Sequence, residues 1–189
     1  MQNSIKSYLA ESAKLINALA AEVPKEIQSI AETIINGFKN GSKVLIFGNG
    51  GSAADAQHFA AELVGRFKKE RRGLGAIALT TNSSTLTALA NDYDFDIIFK
   101  RQIEAFGKKG DIAIGISTSG QAANVIKGLE QAKEMGLKTI ALSGRKGTNL
   151  TNITDLSLLI DSDNTPHIQE AHILVIHIIC KLVEDAIVS

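Results

Sequence analysis

The sequence is short of several residue types, and each shortage narrows the possible functions. Among its 189 residues there is no tryptophan, one cysteine and two prolines. The single cysteine, Cys180, excludes a disulfide framework and a zinc site built on cysteine ligands. It lies in an apolar stretch with helical spacing, where it is expected to be a small buried side chain. Basic and acidic residues number 20 each, so no excess charge favours binding to nucleic acid or to an anionic membrane.

Long hydrophobic runs are also absent. Residues 1–14 contain no apolar core of signal-peptide length. The most apolar run, residues 173–180, is interrupted by His177 and is far too short to cross a bilayer. We therefore predict a soluble, reduced, cytoplasmic protein with no nucleic-acid or membrane partner. The length fits one domain with a sizeable hydrophobic core.

The sequence alternates helical patterns with short apolar runs. Two helices are predicted within residues 1–40, and Pro24 opens the second. Continuous apolar strands alternating with helices predict a parallel sheet covered on both faces. We predict one domain over residues 1–189, an α/β three-layer αβα sandwich, with the helical extension followed by a core over residues 41–189. The predicted strands are 44–47, 76–79, 111–116, 139–142 and 156–160.

The last predicted helix begins near Pro166 and has apolar residues on almost every side. A helix that is apolar all round is expected to be buried all round. In a domain of this size, such burial indicates contact with a neighbouring subunit. We expect the first helix of the chain to pair with another subunit as well, and the second to pack on the sheet.

The segment KVLIFGNGGSAADAQHFAAELVGRF, residues 43–67, carries the strongest functional signal. A buried strand turns through glycines into a helix, which leaves backbone N–H groups and a positive helix end free to hold an anion such as phosphate. Gly48, Gly50 and Ala53 fit a dinucleotide fingerprint, but the next strand ends in threonines instead of an acidic residue, which disfavours NAD. No lysine follows these glycines as it does in a Walker motif, which excludes a nucleoside-triphosphate site of that type. A tight turn without a ligand remains an alternative.

A second anion-binding turn is predicted at Ser117-Thr118-Ser119-Gly120. One serine would be enough to cap the following helix. Three hydroxyls together with backbone N–H groups can satisfy the oxygens of a phosphate without any cation. In an open α/β sheet both turns would lie at the carboxyl ends of parallel strands, where ligands bind.

Four further side chains are candidates for chemistry. His58 and Glu62 are four residues apart and share a helix face, as acid–base groups, metal ligands or an ordinary surface pair. His177 stands among isoleucines, where a lone histidine is commonly a core group, and Gln169 is unremarkable by itself. Their significance depends on the pattern that they form together.

Taken together, these residues resemble the sugar isomerase (SIS) family. The resemblance covers essentially the whole chain, and the most specific residues are the pairs His58/Glu62 and Gln169/His177. The matching segments are GNGGSAADAQHFAAEL, ALAND, GISTSGQAANVI and IQEAHILVIHII.

The resemblance is closest to the branch of the family that isomerises sedoheptulose 7-phosphate to D-glycero-D-manno-heptose 7-phosphate. It implies a five-stranded parallel sheet, a homotetramer, and an early step toward ADP- or GDP-activated heptose for cell-surface glycans such as lipopolysaccharide. It implies Glu62 as the catalytic base and His177 as the acid. The substrate-binding residues implied by the family are Asn49, Gly50, Gly51, Glu62, Asn91, Asp92, Ser117, Thr118, Ser119 and Gln169. Ala122 stands where the family often has a further phosphate-binding serine.

The same resemblance implies a zinc ion held by His58, Glu62, Gln169 and His177. A carboxylate that binds zinc tightly is a poorer base, so these two roles of Glu62 compete. If both are helical, Gln169 and His177 are roughly 12 Å apart along the axis, and their side chains lean toward the helix N-terminus. We therefore expect one of the two to reach the site from a neighbouring subunit.

The alternative function is a non-catalytic SIS module that binds a sugar phosphate or a replication initiator protein. The intact pair of Glu62 and His177 disfavours it, because a protein that only binds needs neither an acid nor a base.

Overall fold

The computed structural model describes residues 1–188, except for the side chain of residue 148. The end of the predicted domain, residue 189, lies outside this range. The predicted five-stranded parallel sheet is confirmed, with the spatial order β2-β1-β3-β4-β5. The strands are β1 (Val44–Gly48), β2 (Ala76–Ala78), β3 (Ile112–Ser117), β4 (Lys138–Gly144) and β5 (Leu156–Ile160).

Helices flank the sheet and precede it. The first two form the predicted N-terminal extension, and Pro24 occupies the first turn of the second. The helices are α1 (Gln2–Glu22), α2 (Pro24–Lys39), α3 (Gly51–Val64), α4 (Ser83–Asp92), α5 (Ile98–Phe106), α6 (Ala123–Glu134), α7 (Thr148–Ile153) and α8 (Thr165–Val188).

Two hydrophobic cores lie on opposite faces of the sheet. Strand β1 alternates between them: Val44 and Ile46 face the core that also holds residues of α2, α3 and α8, whereas Leu45 and Phe47 face the core with residues of α5 and α6. Because both faces are covered, all five residues of β1 are buried. This confirms the predicted three-layer sandwich.

Some boundaries differ from the prediction. Strand β4 extends to Gly144, since Ser143 and Gly144 pair with Leu159 and Ile160 of β5. A 3₁₀ turn, Phe95–Ile97, directly precedes α5. The short helix α7 was not predicted, because its six residues are too few to show a periodic pattern.

Within a single chain the last helix is not buried on every side, and its predicted contact with a neighbouring subunit stays a prediction. Leu174, Ile178 and Leu182 of α8 remain 36–37% exposed. They border a groove of about 680 Å³ whose walls come from α1, α2 and α8. The first helix is also mostly exposed, with only Leu19 buried among the described residues. No helix within residues 1–188 is both long enough and apolar enough to span a membrane.

Candidate active site

The candidate site lies where the strand order of the sheet reverses. Strands β1 and β3 are neighbours at its centre, and the chain proceeds from them toward opposite edges. The crevice beyond the carboxyl ends of two such strands is the usual ligand site of an open α/β sheet. Both predicted anion-binding turns follow these strands, the first after Gly48 and the second after Ser117.

The first turn needs glycine for two physical reasons. Gly50 has a φ of 57°, which disfavours a side chain with a Cβ. Gly51 is approached by Gln169 of α8, and a Cβ there would lie 2.4 Å from Gln169 Nε2. The glycines therefore let the side chain of α8 reach across the turn at the start of α3.

The second turn forms a small cleft of about 130 Å³ with the first. The Ser117 hydroxyl accepts a hydrogen bond from Gly120 N (3.1 Å), which fixes the turn. Ala122 also lines this cleft and contributes no hydroxyl to its wall. The lining residues are Asn49, Ser52, Ile116, Ser117, Thr118, Ser119, Ala122 and Gln169.

A pair of amide side chains joins the two turns. Asn49 Nδ2 donates to Asn124 Oδ1 at 2.8 Å, and Asn124 Nδ2 donates back to Asn49 Oδ1 at 2.9 Å. Asn124 is 2% exposed in the first turn of α6. The sequence analysis did not select Asn124, and its only signal was a polar residue on the apolar face of an amphipathic helix.

The predicted acid–base residues meet on the facing surfaces of α3 and α8. His58 Nε2 lies 2.9 Å from His177 Nε2 and 3.4 Å from Glu62 Oε1. The ring of Phe67 packs near His177, with 5.8 Å between the ring centroids. A carboxylate and two imidazoles thus form one partly exposed cluster, which has the groups required for proton transfer.

Gln169 does not join this cluster within the chain. It contacts Gly51, whereas His177 contacts His58. Seven residues on α3 and eight on α8 separate these two contacts, or roughly 11 Å along the helices. Of the four predicted metal ligands, the structure therefore brings His58, Glu62 and His177 together and leaves Gln169 at the cleft.

The three clustered groups fit zinc by type. Imidazole nitrogen and carboxylate oxygen are zinc ligands, and two ligand atoms of tetrahedral zinc lie about 3.3 Å apart. The separations of 2.9 and 3.4 Å bracket that value. Within a single chain, however, no group of three or more His, Cys, Asp or Glu side chains among the described residues is arranged so that it could hold a metal ion.

Asn91 and Asp92 lie apart from the cleft lining. Both are exposed at the end of α4, and Asn91 Nδ2 donates to Asp92 Oδ1 at 2.8 Å. Their role in substrate binding stays a prediction.

Asp55, one turn before His58 on α3, was not selected from the sequence. Burial raises its pKa to about 6, and the opposing effect of His58 is smaller. Its Oδ2 is buried and has no hydrogen-bond partner within the described part of the chain. Its only sequence signal was the three-residue spacing from His58.

Comparison with protein families gives the class. The family model for the SIS domain matches residues 7–144. This match includes both turns and the segment with His58 and Glu62. The chain belongs to the SIS domain family.

More similar proteins narrow the class. The chain is 53% identical over 184 residues to the phosphoheptose isomerase of Geobacter sulfurreducens, covering 97% of each chain. It is 54% identical over 159 residues to a probable phosphoheptose isomerase of Thermoplasma volcanium, covering 84% of this chain and 81% of that one. Within the SIS family, the chain belongs to the phosphoheptose isomerases.

Solved structures agree with this assignment. The phosphoheptose isomerase from Neisseria gonorrhoeae superimposes with a TM-score of 0.93 at 41% identity, covering 97% of this chain and 98% of that one. The enzyme from Francisella tularensis gives a TM-score of 0.94 at 38% identity, with the same coverage.

Proposed function

We propose that this protein is a ketose–aldose isomerase that converts sedoheptulose 7-phosphate to D-glycero-D-manno-heptose 7-phosphate, for the biosynthesis of activated heptose. The observation that carries the proposal is the cluster of Glu62, His58 and His177 on the same edge of the sheet as a phosphate-type cleft. A non-catalytic module is not favoured, since relatives at about half identity are phosphoheptose isomerases.

The reaction moves one proton between C1 and C2 of the sugar and another between O1 and O2. Glu62 removes the proton from C1 of the ketose, which gives a cis-enediol(ate), and returns it to C2. His177 supplies a proton to O2 and takes one from O1, so that the aldehyde forms at C1. His58, in contact with both groups, orients the imidazole and the carboxylate.

Phosphate binding anchors the other end of the substrate. The hydroxyls of Ser117, Thr118 and Ser119 and the backbone N–H groups of the two turns bind the phosphate oxygens. Asn49, Gly50 and Gly51 contact the sugar from the facing turn, together with Asn91 and Asp92. The described residues of this chain that line the cleft include no lysine or arginine, and we expect backbone dipoles and hydroxyls to hold the anion.

We also propose that the enzyme is a zinc protein. His58, Glu62 and His177 would hold the ion together with Gln169. Bound zinc supplies positive charge that stabilises an enediolate oxygen. Two imidazoles, a carboxylate and an amide oxygen would form a weak ligand set for zinc.

The site is completed by a neighbouring subunit in a homotetramer. Within one chain Gln169 lies about two helical turns from His177. A neighbour's Gln169 and phosphate cleft can face the cluster of His58, Glu62 and His177. The partly exposed apolar residues of α8 and the groove beside α1 offer the surface on which subunits would pack.

The direct test is incubation of the purified protein with sedoheptulose 7-phosphate, with and without a chelator. We expect the aldose 7-phosphate to form, and Glu62→Gln and His177→Gln to lower kcat by about 10²-fold to 10⁴-fold. Glu104→Gln, which changes a carboxylate of α5 on the other face of the sheet, is the control and should retain full activity. Absence of product with the wild-type protein would exclude the proposed function.

A further inference from the structure

A buried ion pair lies beside the candidate active site but outside the cleft lining. Arg71, in the loop after α3, and Glu184, near the end of α8, have side chains only 4% and 2% exposed. Arg71 Nε lies 3.2 Å from Glu184 Oε1, and the geometry is that of an ion pair without a well-aligned hydrogen bond at this nitrogen. Charged groups are rarely this buried unless they are paired and hydrogen-bonded.

Glu184 fastens the loop to α8. Its carboxylate accepts three backbone hydrogen bonds, from Phe67 N (2.8 Å), Lys68 N (2.7 Å) and Lys69 N (2.8 Å). Burial by itself would raise the pKa of Glu184, but these N–H groups and the charge of Arg71 hold it below its ordinary value. The carboxylate therefore stays ionised and holds three consecutive residues of the loop by hydrogen bonds to their backbone N–H groups.

Arg71 fastens the same loop to α3. One guanidinium nitrogen donates to Glu62 O at 2.9 Å, and another donates to Leu63 O at 2.9 Å. These carbonyls belong to the last turn of α3, which has no further helical N–H to satisfy them. A cation at this end also interacts favourably with the helix dipole. Arg71 thus caps the turn of α3 that carries the proposed base.

The loop and the two helices converge on His177. Phe67, whose N–H binds Glu184, places its ring 5.8 Å from the His177 ring. Glu184 follows His177 by seven residues, two helical turns, and therefore lies on the same face of α8. Arg71 and Glu184 are the buried links of the loop, one to the end of α3 and the other to this face of α8, and Lys69 adds a more exposed ion pair with Asp185 of α8 (2.7 Å).

We propose that Arg71 and Glu184, which lie outside the cleft lining, are positioning residues for the isomerisation. They fix the end of α3 that carries Glu62, and the ring of Phe67, against the turn of α8 that carries His177. This inference rests on the proposed function and adds the residues that set the separation of its acid and base. A displacement of about 1 Å between such groups can lower a rate about 100-fold.

A matched control is available at the amino ends of the strands, on the side of the sheet away from the two turns. The Asp111 carboxylate accepts hydrogen bonds from Lys43 N (3.0 Å) and Lys108 N (2.9 Å) and pairs with the Lys43 ammonium group. It is 5% exposed and precedes β3, whereas both site turns follow the strands. It is thus built like the Glu184 site but lies far from the chemistry.

The experiment uses variants that keep every charge. Glu184→Asp shortens one side chain of the pair, and Arg71→Lys replaces the planar fork with a point charge. In each we expect kcat for sedoheptulose 7-phosphate to fall by about 10-fold to 100-fold, while KM stays unchanged because the phosphate turns are untouched. Asp111→Glu should lower the unfolding temperature without changing kcat.

Two results would overturn the inference. One is a wild-type kcat in a folded Glu184→Asp or Arg71→Lys enzyme, and this result in one of the two variants is sufficient. The other is an equal fall of kcat in Asp111→Glu.

A measurement without substrate separates this inference from the proposed function. The imidazole ¹⁵N signals of His58 and His177 should shift in both Glu184→Asp and Arg71→Lys, while those of buried His172 stay fixed. If the wild-type protein is inactive, the proposed function fails, and these signals still test the positioning role.

Discussion

His172 and His177 are five residues apart on α8, and their surroundings give them different chemistry. His177 is half-buried and contacts His58. His172 is fully buried, and its Nε2 lies 3.3 Å from the Ser143 carbonyl oxygen. Because a carbonyl only accepts, Nε2 must carry the proton, which leaves a neutral ring whose Nδ1 has no partner within the described residues. Burial lowers the pKa of His172 to about 4.

His172 predicts a loss of stability in mild acid. The unfolded chain takes up a proton near the ordinary pKa of 6.5, whereas the folded chain does so only near 4. Above pH 6.5, His172 is neutral in both states and should therefore not lower the free energy of unfolding. This free energy should fall as the pH decreases from 6.5 to 4, by up to about 3 kcal/mol.

Urea unfolding of the wild type and of His172→Gln, at pH 7 and at pH 4.5, measures this effect. Glutamine can donate to the same carbonyl but does not titrate. The wild type should lose more stability than the variant between the two pH values. Equal losses in the two proteins would contradict the assigned protonation.

The reciprocal pair of Asn49 and Asn124 leads to a prediction about substrate affinity. Asn124→Ala leaves the Asn49 amide without its partner, and one lost hydrogen bond in such a pair is worth about 1 kcal/mol. We expect KM for the sugar phosphate to rise about fivefold to tenfold, with a smaller change in kcat, because the first turn is no longer tied to the second.

Steady-state kinetics of Asn124→Ala and Gln102→Ala test this role. Gln102 is another buried amide, 4% exposed, which donates to two backbone carbonyls on α5 and after β2. Its loss should lower stability without raising KM. An unchanged KM in Asn124→Ala would show that the first turn holds its shape without the pair.

At the scale of elements, the sequence predicted those strands and helices that depend on the local pattern of apolar residues. All five strands were predicted, and β5 agrees at both ends, since continuous apolar runs bounded by polar turns leave little ambiguity. The helix α7 and the added residues of β4 were not predicted. They depend on pairing with β5 and on packing, which are not encoded within the segment itself.

The loop between α3 and β2 shows how far the surroundings of the candidate site can be predicted from the sequence. Residues 68–72 appear in the sequence as a charged surface turn. In the structure Arg72 is exposed, whereas the side chain of Arg71 is 4% exposed and holds the end of α3. Nothing in the local sequence distinguishes the two arginines, because the difference lies in Glu184, more than 100 residues away.

At the scale of the molecule, a single chain forms both hydrophobic cores but keeps the two parts of the candidate site apart. Its acid–base cluster and its phosphate cleft are about two helical turns apart along α3 and α8. Leu174, Ile178 and Leu182 remain partly exposed beside them. Both features fit the homotetramer that we propose, in which α8 would pack against a neighbouring copy whose cleft would face this chain's cluster.

Subunit mixing tests this explanation. Glu62→Gln damages the cluster, and the double change Thr118→Ala with Ser119→Ala damages the cleft, so each homomer should be nearly inactive. If each site takes its cluster from one subunit and its cleft from another, a co-refolded equal mixture places two intact halves together at about a quarter of the sites. We expect the mixture to recover about that share of wild-type kcat, while Glu62→Gln mixed with His177→Gln, which damage the same half, should recover none. If the first mixture stays as inactive as its components, each chain builds its site alone, and the exposed face of α8 serves assembly without chemistry.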